Sequence, residues 1–251
     1  MSHEDRSRNR YDFIGGSYSS IRCEDPRLRQ KIYAEIGSAS RVANVGAGTG
    51  SYEIPNILLF AVEPSWSMIS QRPAGKAPVI QAVAEHLPFQ DQEFDVATAL
   101  WTVHHWMRPS VGVHELRRVA RKAILVVGST VLNEMWLTRD YFPGMSRARR
   151  PEIQPAKLAE YLGGQVRVEV LMVPCDCEDG FGEAYWARPE AYLSARVRAG
   201  TSAFSLLSQA EVEHGLRRLK YDLDSGRWDQ RNGHLRDLSE YDCGLRMVVS
   251  D

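Results

Sequence analysis

The feature that most constrains the fold is a series of short apolar segments separated by stretches with helical spacing. Apolar runs of roughly 4–8 residues are typical of strands in a parallel sheet that is buried on both faces. Helices between such strands would cover the two faces, so the pattern predicts a doubly wound α/β fold. The predicted strands are residues 42–45, 58–62, 79–82, 94–100 and 123–127.

The flanking segments complete a single predicted domain over residues 1–251. Asp25 before Pro26 predicts the start of a helix that ends at Gly37, so residues 1–36 would form an N-terminal cover and helix. Residues 175–240 are rich in aromatic and charged residues and are predicted to be a mostly helical insertion that covers the site. Further helices are predicted over 113–121 and 155–162, and further strands over 166–173 and 245–249.

Composition excludes several classes of partner. The chain has 31 Lys and Arg residues against 32 Asp and Glu residues, so no basic surplus favours nucleic acid. Its apolar runs are too short to span a bilayer, and its first residues lack the apolar core of a secretory signal. The cysteines at positions 23, 175, 177 and 243 are interpreted as scattered reduced thiols, with a structural zinc or a disulfide as the alternative. We therefore expect a cytoplasmic protein.

A glycine-rich turn follows the first predicted strand. Gly46, Gly48 and Gly50 stand at GxGxG spacing, which allows a sharp turn and the close approach of a ligand to the backbone. A dinucleotide fingerprint would need its third glycine at Ser51, and no GK[ST] sequence follows for a phosphate loop. The alternative is a glycine-rich turn with a structural role only.

A residue with a carboxylate side chain comes directly after the second predicted strand. Glu63 follows this strand directly, and a carboxylate there can accept hydrogen bonds from both ribose hydroxyls of a nucleoside. Met68 follows five residues later and is a candidate to pack on a purine face. The alternatives are an exposed acid at a strand end and a methionine in a helix core.

These residues resemble those of the class I S-adenosylmethionine-dependent methyltransferases, in the branch that acts on small molecules. The resemblance covers about residues 18–127, and its motifs occur in order at residues 45–50, 60–68, 84–89 and 94–105. It implies a Rossmann-like, seven-stranded, mostly parallel sheet with an insertion between the last two strands. It also implies S-adenosylmethionine as cofactor and S-adenosylhomocysteine as product.

The resemblance assigns a cofactor role to particular positions. The glycine loop would lie beneath the amino acid part of the cofactor, Glu63 would hold the ribose, and Arg22 would pair with the cofactor carboxylate. Val83 departs from the family, which often has an Asp here that binds the adenine amino group. The full set of predicted cofactor residues is Tyr18, Arg22, Gly46, Ala47, Gly48, Glu63, Pro64, Met68, Ala84, Glu85, Leu100 and Trp101.

Methyl transfer requires that the acceptor atom be held in line with the methyl carbon of the cofactor, at about 3 Å, and that the acceptor lose its proton. His104 and His105 follow the fourth predicted strand, and histidine is suited to proton removal near neutral pH. We predict that one of them, His105 in preference, acts as the base; the alternative is that they shape the pocket. The sequence shows no metal-binding cluster, so we expect metal-independent chemistry.

Aromatic and polar-tipped side chains in the second half of the chain and near the N-terminus are candidates to contact the acceptor. Trp and Tyr offer broad apolar faces with one hydrogen-bonding group, which suits a ring-containing acceptor. The alternative is that they pack in the core of the insertion. The candidates are Tyr11, Trp106, Trp136, Arg139, Tyr141, Glu183, Tyr185 and Trp186.

The predicted function is methyl transfer from S-adenosylmethionine to oxygen, nitrogen or carbon of a small molecule, a biosynthetic intermediate. Two alternatives keep the cofactor: a cyclase or rearrangement enzyme, and a non-catalytic binding protein. Nucleic acid methylation is disfavoured because no [DN]PP[YFW] tetrapeptide occurs in the sequence. A dehydrogenase is disfavoured by the glycine spacing.

Overall fold

A seven-stranded sheet forms the centre of the protein, whose residues 22–251 are described in a computed structural model. The strands are β1 Arg41–Val45, β2 Leu58–Val62, β3 Val79–Ile80, β4 Phe94–Leu100, β5 Ala120–Gly128, β6 Val166–Val170, β7 Val173–Pro174, β8 Glu240–Tyr241 and β9 Leu245–Ser250. In the large sheet the order is β3-β2-β1-β4-β5-β9-β6. Strands β1 to β5 are parallel, and β9 runs antiparallel to β5 and β6. The predicted mostly parallel, seven-stranded fold is confirmed.

The helices agree with the sequence patterns at most positions. They are α1 Pro26–Ile36, α2 Trp66–Ile69, α3 Pro109–Val119, α4 Pro155–Leu162, α5 Ala195–Ala199, α6 Gln209–Asp224 and α7 Arg227–Asn232. Asp25 caps α1 as predicted, since its side chain accepts from the N–H groups of Arg27 and Leu28. The helix predicted over residues 113–121 is observed as α3, Pro109–Val119. It begins earlier because Pro109 suits the first turn of a helix, and it ends earlier because residues 120–121 already belong to β5.

The strand predicted over residues 166–173 is interrupted. β6 ends at Val170, and the chain leaves the large sheet after Leu171, whose N–H donates to the C=O of Leu245 at 3.1 Å. Val173 and Pro174 then pair with Tyr241 and Glu240 in a separate two-stranded sheet. This small sheet joins the two ends of the insertion, residues 175–240, which contains α5, α6 and α7 together with irregular turns.

The connection between β1 and β2 departs from the expected alternation of strands and helices. Residues 46–57 form turns and bends with no helix, although parallel strands are usually joined through one. Helix α1 supplies cover on one face of the sheet, where its buried residues Leu28 and Ile32 belong to the same apolar cluster as Val42 and Val96 of the strands. A helix that precedes β1 in the chain thus covers this face.

Neighbouring residues of each strand face two different cores. Ala97 and Leu125 belong to a cluster with Leu116 of α3 and Leu158 of α4, whereas Ile124 belongs to the cluster that contains α1. The α1 cluster also contains the aromatic side chains of the insertion and of the segment after β5, namely Trp136, Tyr141, Trp186, Tyr192 and Trp228. One face of the sheet and the insertion therefore share a core.

The described residues show three further general features. All four cysteines lie within residues 22–251, and none forms a disulfide. Over the same residues, no helix combines the length and the apolar character needed to cross a membrane, and no group of three His, Cys, Asp or Glu side chains is placed to hold a metal ion.

The shared core leads to a prediction for stability. Trp228 is 0% exposed and its ring centroid lies 5.2 Å from that of Trp136. Trp228→Ala should lower the free energy of unfolding by about 3–5 kcal/mol, because it removes a large buried side chain and leaves a cavity. Urea denaturation should show one transition, monitored by fluorescence and by circular dichroism.

The matched control is Trp66→Ala, since Trp66 is 66% exposed and its removal should cost little. Two separate transitions, with only the first displaced by Trp228→Ala, would contradict a core that the sheet and the insertion share.

Candidate active site

The glycine loop lies at the carboxyl ends of the parallel strands and is shaped for close approach. Gly46 has φ +73°, and a Cβ built on it would lie 2.0 Å from Oγ1 of Thr102. Gly48 has φ +52°, and a Cβ built there would meet no atom of the described residues within 4 Å. Gly46 is therefore required by packing, whereas Gly48 borders open space that a ligand can use.

Glu63 closes the loop from the end of β2. Its carboxylate accepts hydrogen bonds from the N–H of Gly48 at 2.8 Å and from the N–H of Ser65 at 2.9 Å. Glu63 is 5% exposed, and burial raises the pKa of its carboxyl group while the two N–H donors act in the opposite direction. An ionised carboxylate has about four acceptor sites, so two remain for ribose hydroxyls. The open space at Gly48 and this carboxylate fit the nucleoside and methionine parts of S-adenosylmethionine.

Arg72 holds the loop from the opposite side, and sequence analysis did not identify it. Its guanidinium donates to the C=O of Gly48 at 3.1 Å, to the C=O of Ala77 at 3.1 Å and to the carboxylate of Glu53 at 2.5 Å. Glu53 accepts in addition from the N–H of Ala77 at 3.1 Å. The side chains of Arg72 and Glu53 are 5% and 4% exposed. This buried ion pair stabilises a loop that has no helix of its own.

The other predicted cofactor residues near the adenine position have structural partners. Met68 is buried, and Ala84 is buried in the cluster that contains α3. Glu85 accepts from the N–H groups of Met107 at 2.8 Å and Arg108 at 3.0 Å, and so holds the segment before α3. Cofactor contacts of these residues and of Pro64, Ala47 and Leu100 stay predictions.

Trp101 follows β4 in an uncommon backbone conformation. Its φ of +52° lies in the left-handed region, which is rare for a bulky residue and often marks a functional position. Its ring stacks on Phe181 at 5.4 Å between centroids, and the ring of Tyr52 lies at 5.1 Å. Its indole Nε1 is buried without a hydrogen-bond partner among the described residues. Trp101 thus joins the strand end to the insertion.

Arg22 is held by the insertion. Its guanidinium forms a bidentate ion pair with Asp179, with Nε–Oδ1 at 2.6 Å and Nη2–Oδ2 at 3.1 Å. The hydroxyl of Tyr52 also donates to Asp179 at 2.9 Å, and burial raises the pKa of that tyrosine. The predicted pairing of Arg22 with a cofactor carboxylate stays a prediction, and the structure shows Asp179 as one protein partner of Arg22.

A pocket lies between the carboxyl ends of β4 and β5 and the insertion. His104 and His105 line it from the segment after β4, with ring centroids 3.8 Å apart, and Nε2 of His104 lies 3.3 Å from Oγ of Ser202. The described residues that line it are Arg22, Trp101, His104, His105, Val127, Gly128, Leu132, Ala148, Arg149, Ile153, Phe181, Gly182, Glu183, Gly200, Thr201, Ser202, Ala203 and Leu245. The predicted histidines, Trp101, Arg22 and Glu183 therefore meet at one site.

Most of the aromatic acceptor candidates lie elsewhere. Trp136, Tyr141 and Trp186 are buried in the core that contains α1, and Trp106 packs against Gly112 of α3. Tyr185 is partly buried and packs against the core that contains α1. Arg139 forms an ion pair with Asp140 at 2.8 Å. None of these is among the described residues that line the pocket. Tyr11 and Tyr18 lie outside the described residues.

The position of Glu63 leads to a prediction for cofactor binding. Glu63→Ala should weaken the binding of S-adenosylhomocysteine by about 1–3 kcal/mol, because it removes the acceptor predicted for the ribose hydroxyls. Isothermal titration calorimetry measures this change. Glu160→Ala is the control, since Glu160 is exposed on α4. Equal affinities for the two variants would remove Glu63 from its predicted role.

Arg72 allows a second prediction. Arg72→Lys keeps the charge but cannot bond the two carbonyl groups and Glu53 in one plane. We expect the dissociation constant for S-adenosylhomocysteine to rise roughly tenfold, because the glycine loop loses its support. The control is Arg117→Lys, whose guanidinium bonds the C=O of Arg121 at the opposite end of β5. A lowered melting temperature with unchanged affinity would make Arg72 a stability residue only.

Comparisons with known proteins agree with this geometry. A family model described as a methyltransferase domain matches residues 43–127. A protein of Anabaena variabilis, assigned as a methyltransferase from an antibiotic biosynthesis pathway, is 31% identical with a TM-score of 0.83, over 92% of this chain and 99% of that chain. A search of curated protein sequences finds no match.

Two more distant structures share the fold. A SAM-dependent methyltransferase of Archaeoglobus fulgidus has a TM-score of 0.53 at 13% identity, over 95% of this chain and 96% of that chain. The cyclase SpnF has a TM-score of 0.51 at 14% identity, over 89% of this chain and 79% of that chain. With the glycine loop, Glu63 and the nearly full-length likeness to the Anabaena protein, the chain belongs to the class I S-adenosylmethionine-dependent methyltransferase family, and S-adenosylmethionine is its cofactor.

Proposed function

We propose that the protein transfers the methyl group of S-adenosylmethionine to oxygen, nitrogen or carbon of a small-molecule biosynthetic intermediate. The observation that carries the proposal is the pocket, which lies between the strand ends of β4 and β5 and the insertion. A site covered in this way suits a small acceptor better than a polymer. The Anabaena relative, assigned to an antibiotic biosynthesis pathway, supports the same acceptor class.

The pocket supplies what the chemistry requires. S-adenosylmethionine brings an activated methyl group, so the protein has to align the acceptor and to take up its proton. The stacked rings of Trp101 and Phe181 offer an apolar wall against which an acceptor ring can be oriented. The insertion supplies Phe181 to this wall and lines the pocket further with residues 182–183 and 200–203.

The two histidines take different parts in this proposal. His104 lies within hydrogen-bond distance of Ser202, so we assign it to holding the insertion against the strand ends. His105, whose ring packs on His104 at 3.8 Å between centroids, is the proposed base. Histidine is suited to accept a proton from a hydroxyl or amine as the methyl group is transferred near neutral pH.

The test is transfer of labelled methyl groups. The protein is incubated with methyl-labelled S-adenosylmethionine and a cell extract of the source organism, which is then separated into small molecules and macromolecules. We expect label in a small-molecule product and none with heat-inactivated protein. Label only in the macromolecular fraction would contradict the proposal. A new small molecule without label would instead indicate a cyclase or rearrangement enzyme.

The base is tested with the acceptor that this experiment identifies. His105→Ala should lower turnover by roughly 10²-fold or more and leave the affinity for S-adenosylhomocysteine unchanged, because it removes proton uptake and no predicted cofactor contact. His234→Ala is the control, since His234 lies in the insertion outside the pocket lining. Normal turnover of His105→Ala would assign His105 to a structural role.

A further inference from the structure

The pocket contains a second polar site that the transfer step does not use. Glu183 and Arg149 both line it, and Nη2 of Arg149 lies 3.7 Å from Oε1 of Glu183. This distance is longer than a hydrogen bond. Among the described residues, no side chain forms a hydrogen bond with the Glu183 carboxylate. The Arg149 guanidinium donates to the C=O of Met145 through Nη1, so its other N–H groups and the acceptor positions of Glu183 stay open.

Both charges are poorly solvated. The side chain of Glu183 is 15% exposed and that of Arg149 is 6% exposed. Burial raises the pKa of Glu183 and lowers the pKa of Arg149, with each charge partly offsetting the effect on the other. A buried pair that lacks direct hydrogen bonds is poorly compensated for its desolvation. A polar ligand group placed against it would supply the missing hydrogen bonds.

Among the described residues, each guanidinium group that lines the pocket has a carboxylate partner. Arg22 is neutralised by its bidentate pair with Asp179, and Arg149 is neutralised by Glu183. A ligand with a net charge would meet an opposite charge that is already compensated, and its own desolvation would oppose binding. The balance therefore favours an uncharged acceptor.

A third polar group supports a polar ligand at this place. Oγ1 of Thr201 is buried and has no hydrogen-bond partner among the described residues, and Thr201 lines the same pocket. Buried hydroxyl groups are normally paired, so an unpaired one in a pocket wall indicates a ligand or water partner. The remaining wall is largely apolar and includes Trp101, Phe181, Leu132, Ile153 and Leu245.

We propose that the acceptor is an uncharged molecule with an apolar, ring-containing body and a hydroxyl group, and that this hydroxyl binds between Glu183 and Arg149. A hydroxyl group donates to the carboxylate and accepts from the guanidinium at once, which neither an ammonium nor a carboxylate can do. Glu183 and Arg149 are then residues that determine specificity. This inference rests on the proposed function, because it concerns the acceptor pocket of that reaction.

The test measures the binding of four matched probes to protein saturated with S-adenosylhomocysteine, by ligand-observed NMR titration. The probes are phenol, its methyl ether anisole, benzoate and benzylamine. Wild-type protein should bind phenol about threefold or more tightly than the other three, because only phenol satisfies both groups without adding a charge.

Charge-removing variants sharpen the test. Glu183→Gln leaves Arg149 uncompensated, so the ratio of benzoate affinity to benzylamine affinity should rise about tenfold. Arg149→Met leaves Glu183 uncompensated and should lower this ratio about tenfold. The double variant, which removes both charges and avoids an unpaired buried one, should return the ratio to the wild-type value. The control is Glu190→Gln, since Glu190 is an exposed residue of the insertion that pairs with Arg236.

Two results would overturn the inference. One is a wild-type preference for benzoate or benzylamine over phenol, and it needs no variant to fold. The other is an unchanged ratio in both single variants that still bind S-adenosylhomocysteine. Failure of the proposed function has a different signature: label would be missing from small molecules in the transfer experiment, whatever the probe affinities are.

Discussion

The buried ion pair between Arg72 and Glu53 is the interaction on which the geometry of the cofactor site depends. The turn between β1 and β2 contains three glycines and no helix, and the N–H groups of Gly46 and Ala47 both donate to the C=O of Val62. Glycine leaves the backbone many accessible conformations, so side-chain contacts add to these bonds in holding the turn. Arg72 bonds both Gly48 and Glu53, while Glu63 bonds Gly48 from the other side. Removing one partner of such a pair costs about 3–5 kcal/mol, because the other charge stays buried and unpaired. The β1–β2 connection contains no helix, and the charged side chains of Arg72, Glu53 and Glu63 stabilise its conformation.

The second structural consequence concerns the insertion. Its aromatic residues lie in the same core as α1 and one face of the sheet, so its position relative to the strand ends is set by packing. Asp179 adds a bidentate pair with Arg22 and a hydrogen bond from Tyr52, and Phe181 stacks on Trp101. Glu183, Thr201, His104 and His105 line the same pocket. The shape of the pocket therefore depends on the shared core.

The distribution of charge gives the two parts of the site different chemistry. At the cofactor end, Glu63 has two backbone donors and acceptor sites left for hydroxyl groups. In the pocket beside the histidines, the Glu183 carboxylate lies 3.7 Å from the Arg149 guanidinium, which is longer than a hydrogen bond. Trp101 lies between β4 and the insertion in a left-handed conformation, and its place at the boundary is consistent with strain kept at a functional position.

The sheet, the glycine loop and the position of Glu63 could be predicted from the sequence, because they depend on patterns that are local in the chain. Apolar runs define strands, and a glycine at a strand end defines a tight turn whichever residues later pack around it. The same reasoning located Asp25 as a helix cap and α4 at its observed bounds. It placed His104 and His105 after β4 for the same local reason.

Tertiary structure decided which distant side chains meet, and here the sequence patterns were insufficient. Trp136 and Trp186 are of a residue type that is common in ligand sites, yet both pack in the core. Burial of a large ring is favourable in a core as well as against a ligand, so residue type alone does not separate the two locations. Arg149 and Thr201 show no sequence signal. Arg149 reaches the pocket from the segment after β5 and Thr201 from the insertion, and only the folded chain brings them together. In the sequence, nothing distinguishes Arg72 from a surface arginine. Its role depends on contacts with Gly48, Glu53 and Ala77 in the folded chain, because a buried ion pair is formed by side chains that need not be close in sequence.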